Sequence, residues 1–348
     1  MLNLLLKLMK NYIACFRQKK NYLLLLVLAL SIDSSFAVQL TAEVENTLGP
    51  KACVACHKGS ARSWKKTKHY KTYKEIPRKG IAKKRAKKMR FKQIKTDSLC
   101  VNCHFTAVKS GSRIKTVAGI SCESCHGASK DWLRMHSDFG GRGVRANEET
   151  PEHKIQRQFQ TESNGMVQLS NIYDLAKNCY RCHTVPEEKL VNIGRHPAGS
   201  DFELVQWGQG EVRHNLWHEE SSNNPLPIIR LRIMYVVGKA MDLEYALRGL
   251  AKATVDSGYF QHMVERKDKA INDLKHIAIQ IDNEDIQNMI KLVDKLENKV
   301  NNPEYQAIAE QVGILNRTFT ILADGAQLSG LDALLPKPDA YNGDVYQP

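Results

Sequence analysis

The chain has 348 residues, enough for one or two domains and a sizeable core. Its 51 Lys and Arg outnumber 37 Asp and Glu, a net charge of +14 that points to an acidic partner or a bound polyanion and leaves the fold class open.

In chain order, Lys19 and Lys20 precede the apolar run Leu23 to Leu30, and Ser35-Phe36-Ala37 follows as a small-x-small cleavage site. The run falls well short of the ~20 residues needed to cross a bilayer, so the pattern reads as a secretory signal peptide over residues 1–37 rather than an anchor. Export then sets the periplasm as the expected compartment. Next comes Cys53-Val-Ala-Cys56-His57, followed by Ala61 to His69, a stretch without Gly or Pro that is expected to be helical. From Arg78 to Lys95 there are ten Lys or Arg residues and no acid. Such a run is either a solvated helix face or a positive docking patch for acidic redox proteins. Nucleic acid, the usual partner of such runs, is not expected outside the cytoplasm.

Three further motifs follow: Cys100-Val-Asn-Cys103-His104, Cys122-Glu-Ser-Cys125-His126 and Cys179-Tyr-Arg-Cys182-His183. After Pro225 and Pro227 no motif recurs and amphipathic helices are expected over 225–334, with Ile286, Met289, Ile290, Val293, Leu296 and Val300 at helical spacing. Asn302-Pro303 reads as an N-cap and a first-turn proline, and residues 335–348 as a poorly ordered tail. The expected organisation is therefore signal peptide 1–37, motif domain 38–224, helical domain 225–334 and tail. The expected fold class is mainly α with few strands.

Nine cysteines occur, and apart from Cys15 in the predicted signal peptide all eight belong to the four C-x-x-C-H copies. Two thiols three positions apart reach the two vinyl groups of one haem, and the adjacent histidine meets the iron as proximal ligand. About 0.01 copies are expected by chance at this composition, so four copies with no stray thiol imply four covalently bound haems c rather than coincidence. Zinc would not require a histidine directly after every second cysteine, and four such units are not a disulfide framework. The cofactor-binding residues are thus Cys53, Cys56, Cys100, Cys103, Cys122, Cys125, Cys179 and Cys182, and the proximal iron ligands His57, His104, His126 and His183.

The second axial position of each iron separates a carrier from a haem catalyst. His69 lies twelve residues after His57, about 18 Å along a helix, too far to reach round its own motif's haem, so it is expected on a different one. The same reasoning applies to His136, ten residues after His126. His196 and His214 follow the last motif and compete for the fourth haem. His153 and His218 are weaker candidates, and His262 and His276 read as ordinary helix side chains.

These motifs resemble the tetrahaem cytochrome c-554 family over roughly residues 50 to 220. The resemblance rests on Ser63-Trp64-Lys65-Lys66-Thr67-Lys68-His69 after the first motif, on Cys100-Val-Asn-Cys-His104, on Gly119-Ile-Ser-Cys-Glu-Ser-Cys-His-Gly127 with the trailing His136, and on the fourth motif. It implies an electron carrier that accepts electrons from hydroxylamine oxidation, a mostly helical fold and haems stacked in close pairs. It also implies that His136 stands opposite His57 and His69 opposite His126, and that the haem on His104 lacks a protein distal ligand. Residues 195–215 depart from the family pattern, and the carboxyl-terminal third has no counterpart in it. Two main readings compete: a periplasmic electron carrier between redox proteins, touching the membrane only through a partner, and a haem enzyme that reduces a small nitrogen oxide or hydroxylamine at one open iron. A third is an assembly subunit that docks a larger oxidoreductase.

Overall fold

The first motif winds through a helical turn, α1 (Lys51–Val54), and its histidine leads into α2 (Lys58–Lys66). The structure is a computed structural model that describes residues 43–96, 98–216 and 222–348; the predicted signal peptide, Cys15 and His218 lie outside them. Instead of continuing through His69, the helix breaks at Thr67, whose backbone is extended and whose hydroxyl accepts from the Tyr70 amide (3.2 Å) to cap α3 (Lys68–Glu75). A threonine side chain offers the backbone this local alternative to an uninterrupted helix. His69 therefore sits in the first turn of a new, re-aimed helix.

A 3₁₀ turn at Ile76–Arg78 precedes the basic helix α4 (Gly80–Lys88), on which only Ala86 is buried. The second motif forms α5 (Val101–His104). It runs into an antiparallel hairpin, β1 (Thr106–Ser110) and β2 (Arg113–Ala118), the one sheet among the described residues, with a bulge at Thr106/Ala107. The hairpin returns the chain to the third motif, α6 (Cys122–His126), because the Thr106 amide and hydroxyl both donate to the Gly119 carbonyl (3.1 and 2.7 Å). A 3₁₀ turn at Met135–Ser137 carries His136, and α7 (Pro151–Ser163) packs beside it. The fourth motif closes α8 (Ile172–His183), and the short helices α9 (Glu188–Asn192) and α10 (Leu204–Gly208) follow.

The carboxyl-terminal part is α11 (Ile228–Lys252), α12 (Gly258–Gln280), α13 (Glu284–Val293) and α14 (Glu304–Leu322), with 3₁₀ turns beyond. The apolar stripe of α13 extends past the helix end, where Leu296 and Val300 pack on the core from non-helical backbone. Pro303 sits one position earlier than expected, as the N-cap, while the Asn302 side chain accepts from the Glu304 amide (3.0 Å). With 58% helix and 4% strand among the described residues, the fold is mainly α.

α11 is buried almost all round, and the charges it carries inward are paired: Arg232 with Asp332 (2.7 Å), Lys239 with Asp273 (3.0 Å), Asp242 with Arg266 (2.5 Å) and Glu244 with Arg248 (2.8 Å). Two of these acids also accept from α8, Glu244 from the Tyr173 hydroxyl (3.0 Å) and Asp242 from the Tyr180 hydroxyl (3.4 Å). One hydrophobic core runs from Ile172 on α8 to Leu331. The helices after the last motif thus form the bed on which the fourth motif rests. Residues Val44–Pro348 make one compact unit. The tail expected to be poorly ordered folds back across the motif region. Asn342 exchanges backbone bonds with Gln206 (3.0 Å) and Glu211 (2.8 Å), and the Tyr346 carbonyl accepts from buried Asn223 (2.8 Å).

Candidate haem sites

Each motif histidine faces one histidine from elsewhere in the chain. The ring centroids of His57 and His136 are 6.2 Å apart, those of His104 and His196 6.3 Å, those of His126 and His214 6.1 Å, and those of His183 and His69 6.2 Å. An iron held between two imidazoles by bonds of about 2.0–2.1 Å separates the ring centroids by about 6.3 Å. The four gaps fit that requirement, and each motif carries its two cysteines four and one positions before its histidine. All eight candidate ligands are thereby brought together two by two.

The partners differ from those expected. His136 does stand opposite His57. His69, however, faces His183 and not His126, because the break at Thr67 turns α3 toward the fourth motif. His214 takes the place opposite His126, so it does not compete with His196 for the fourth motif. His196 faces His104, the histidine for which the resemblance implied no distal partner. Both His196 and His214 lie in residues 195–215, the segment that departs from the family pattern.

The hydrogen bonds of the rings suit ligation. Nδ1 of His136 bonds the Leu133 carbonyl, that of His126 the Val167 carbonyl (3.2 Å), that of His196 the Pro197 carbonyl (2.8 Å), and that of His214 the Val212 carbonyl (2.7 Å). His183 Nδ1 meets the Ser200 hydroxyl (3.1 Å). A proton fixed on Nδ1 leaves Nε2 as the lone-pair donor and sets the ring plane. Burial pushes His104, His126 and His183 down to about 4, and moves His69, His136 and His196 in the same direction, which keeps the rings neutral as ligation requires. The remaining histidines have other company. His153 Nδ1 bonds Glu149 (2.7 Å), His262 forms an exposed pair with Glu265 (3.3 Å), and His276 is exposed.

The sites fall into two groups. The Cys53 thiol adjoins that of Cys122, linking the first and third motifs, and Cys182 Sγ donates to the Asn102 carbonyl (3.8 Å), linking the fourth motif to the second. The groups meet where Asn178 donates to the Cys125 carbonyl (2.8 Å) and Arg181 to the Ser124 carbonyl (3.2 Å). The four sites thus adjoin in the order first, third, fourth, second. The basic helix α4 lies at the second-motif end: Arg85 donates to the Arg195 carbonyl (3.1 Å), beside His196.

Two glycines and an acid of the third motif region explain its wording. Gly127 has φ +85° and ψ 154°, and a Cβ there would collide with the Gly165 carbonyl. A Cβ on Gly119 would strike the His69 carbonyl, so the close approach of α3 needs a glycine. Glu123 is buried and accepts from the amides of Leu48 (2.9 Å), Gly49 (2.6 Å) and Ser129 (2.9 Å), tying three segments to the motif. Its position between two cysteines was the only signal in the sequence, and spacing alone did not reveal the role.

Residues 52–127 match the family model described as cytochrome c554 and c-prime. The chain is similar to the cytochrome c-554 of Nitrosomonas europaea, 29% identical over 143 residues, which are 39% of this chain and 56% of that protein. The match therefore spans little more than half the length of that curated relative. No solved structure matches the chain.

Proposed function

We propose that this c-554-family cytochrome is a periplasmic tetrahaem electron carrier whose four irons all have two histidine ligands. Haem c, when bound, supplies reversible one-electron transfer, and bis-histidine ligation keeps its potential below that of His/Met cytochromes. The eight motif cysteines are the attachment points. His57 and His136, His104 and His196, His126 and His214, and His183 and His69 are the ligand pairs.

The observation that carries this reading is the common separation of 6.1–6.3 Å between the four ring pairs. Nδ1 bonds on five of the eight rings support it, since they leave Nε2 free for iron. The pairing of His104 with His196 speaks against an open iron and hence against reduction of a nitrogen oxide or hydroxylamine. The signal peptide over 1–37, the motif region 38–224 and the helical region 225–334 complete the assignment, with the helices bracing the fourth motif. Partners are redox proteins, with an acidic one docking on α4 and its flanks, where ten Lys and Arg without an acid run from Arg78 to Lys95. No helix among the described residues is long and apolar enough to cross a membrane.

The test is a haem count by pyridine haemochrome followed by low-temperature electron paramagnetic resonance of the air-oxidised protein. Four haems per chain with only low-spin ferric signals are expected. A high-spin signal from about one quarter of the iron would reveal an open site and overturn the carrier assignment in favour of a catalyst.

A further inference from the structure

Of the three described tryptophans, Trp64 donates its indole N–H to the Ile120 carbonyl (2.8 Å). Trp132 and Trp207 do not: their Nε1 atoms are buried and meet no acceptor. These two are also the tryptophans that flank candidate iron ligands. The Trp132 ring lies 5.4 Å from His136 and edge-on to it, and the Trp207 ring 5.7 Å from His183. Trp132 is only 4% exposed.

An indole nitrogen can donate but not accept, and a buried donor without a partner costs about 1–3 kcal/mol. Two such donors, each beside a different ligand pair, call for an acceptor that arrives with the cofactor. A haem whose ring nitrogens are all bound to iron keeps only its two propionate carboxylates as strong hydrogen-bond acceptors. Resting on the four-haem reading above, we infer that the indole N–H groups of Trp132 and Trp207 are propionate donors, Trp132 for the haem of His57 and His136 and Trp207 for that of His183 and His69. At the second site Lys68, whose ammonium lies 5.6 Å from the centre of the Trp207 ring, adds a positive charge of the sign a carboxylate requires.

A donor to the ionised form holds a carboxyl group's pKa down, so its loss moves titration of that propionate toward neutral pH. Redox potentials feel that charge, and the potential becomes pH-dependent where the propionate titrates. Trp132→Phe and Trp207→Phe are therefore expected to raise, by about one unit, the pH at which the midpoint potential begins to slope. Trp64→Phe, whose indole already has a protein acceptor, should retain the wild-type profile. Pyridine haemochrome on every variant separates the two readings: fewer than four haems in the wild type overturns the tetrahaem assignment. Four haems with an unchanged pH profile in both variants overturn the propionate assignment alone. Should a variant fail to load haem, the wild-type protein decides. With ¹⁵N-labelled tryptophan in the reduced, low-spin state, both indole protons are expected to show cross-relaxation to propionate methylene protons, and its absence refutes the inference.

Discussion

At the scale of single residues, the histidines divide by what they face. His196→Ala is expected to convert about one quarter of the ferric iron to high spin, because His104 loses the ring opposite it; His153→Ala should leave the low-spin spectrum intact, since that ring serves Glu149. Electron paramagnetic resonance of the two variants makes the comparison directly. Gly127 acts through backbone alone. Gly127→Ala forces a side chain into a conformation open in practice only to glycine, at a cost of order 1–3 kcal/mol. It also pushes on the Gly165 carbonyl, two residues from the Val167 carbonyl that orients His126. A lowered thermal midpoint together with a perturbed ligand-field spectrum at one haem is the expected outcome.

At the scale of elements, α7 holds His136 through a charged contact that depends on pH. Arg157 donates to the His136 carbonyl (2.9 Å) while gripping Glu149 at 2.6 and 2.7 Å. The hydrogen bond from Arg157, helped by the one from His153, holds Glu149 down to about 2 from its ordinary 4.5, against the opposing effect of burial. A carboxylate depressed in the folded state contributes stability that is fully present above about 4.5 and lost as the pH falls toward 2. Thermal melts should show the wild type losing more stability between pH 5 and pH 2.5 than Glu149→Gln, which lacks the titrating group; equal losses would mean that this contact carries no acid sensitivity. The same scale shows why the helix expected through His69 is two helices. The periodic, glycine-free sequence permits one, and the Thr67 hydroxyl caps another.

At the scale of the whole molecule, charge and site order combine. The second-motif site ends the row of four, and α4 presents Lys83, Lys84, Lys87 and Lys88 beside it. Replacing these four lysines by glutamate should slow electron transfer to an acidic redox protein roughly tenfold or more at low salt, with the difference vanishing near 1 M salt, where screening acts within about 3 Å. Stopped-flow mixing across a salt series measures it. An unchanged salt dependence would locate docking elsewhere. The helical region has its own part, because Tyr173 and Tyr180 pin the fourth motif's helix to acids of α11. The folded-back tail ends at Asn223, which also donates to the Arg213 carbonyl (2.8 Å) next to His214.

The sequence by itself carries the haem reading, since attachment needs two thiols and a histidine at a local spacing that any reading of the chain reveals. It also set out the mainly helical class, the basic run and the list of histidines from which distal partners had to come. Which histidine meets which motif was decided only by tertiary structure: His69 reaches His183, His214 reaches His126 and His196 reaches His104. The reason is physical. The ring that faces each motif histidine is fixed by where a break such as Thr67, a close approach such as Gly119 and a packed bed such as α11 send the chain, and these depend on contacts between residues far apart in sequence. Buried donors such as those of Trp132 and Trp207 become visible for the same reason, once folding has removed every other partner.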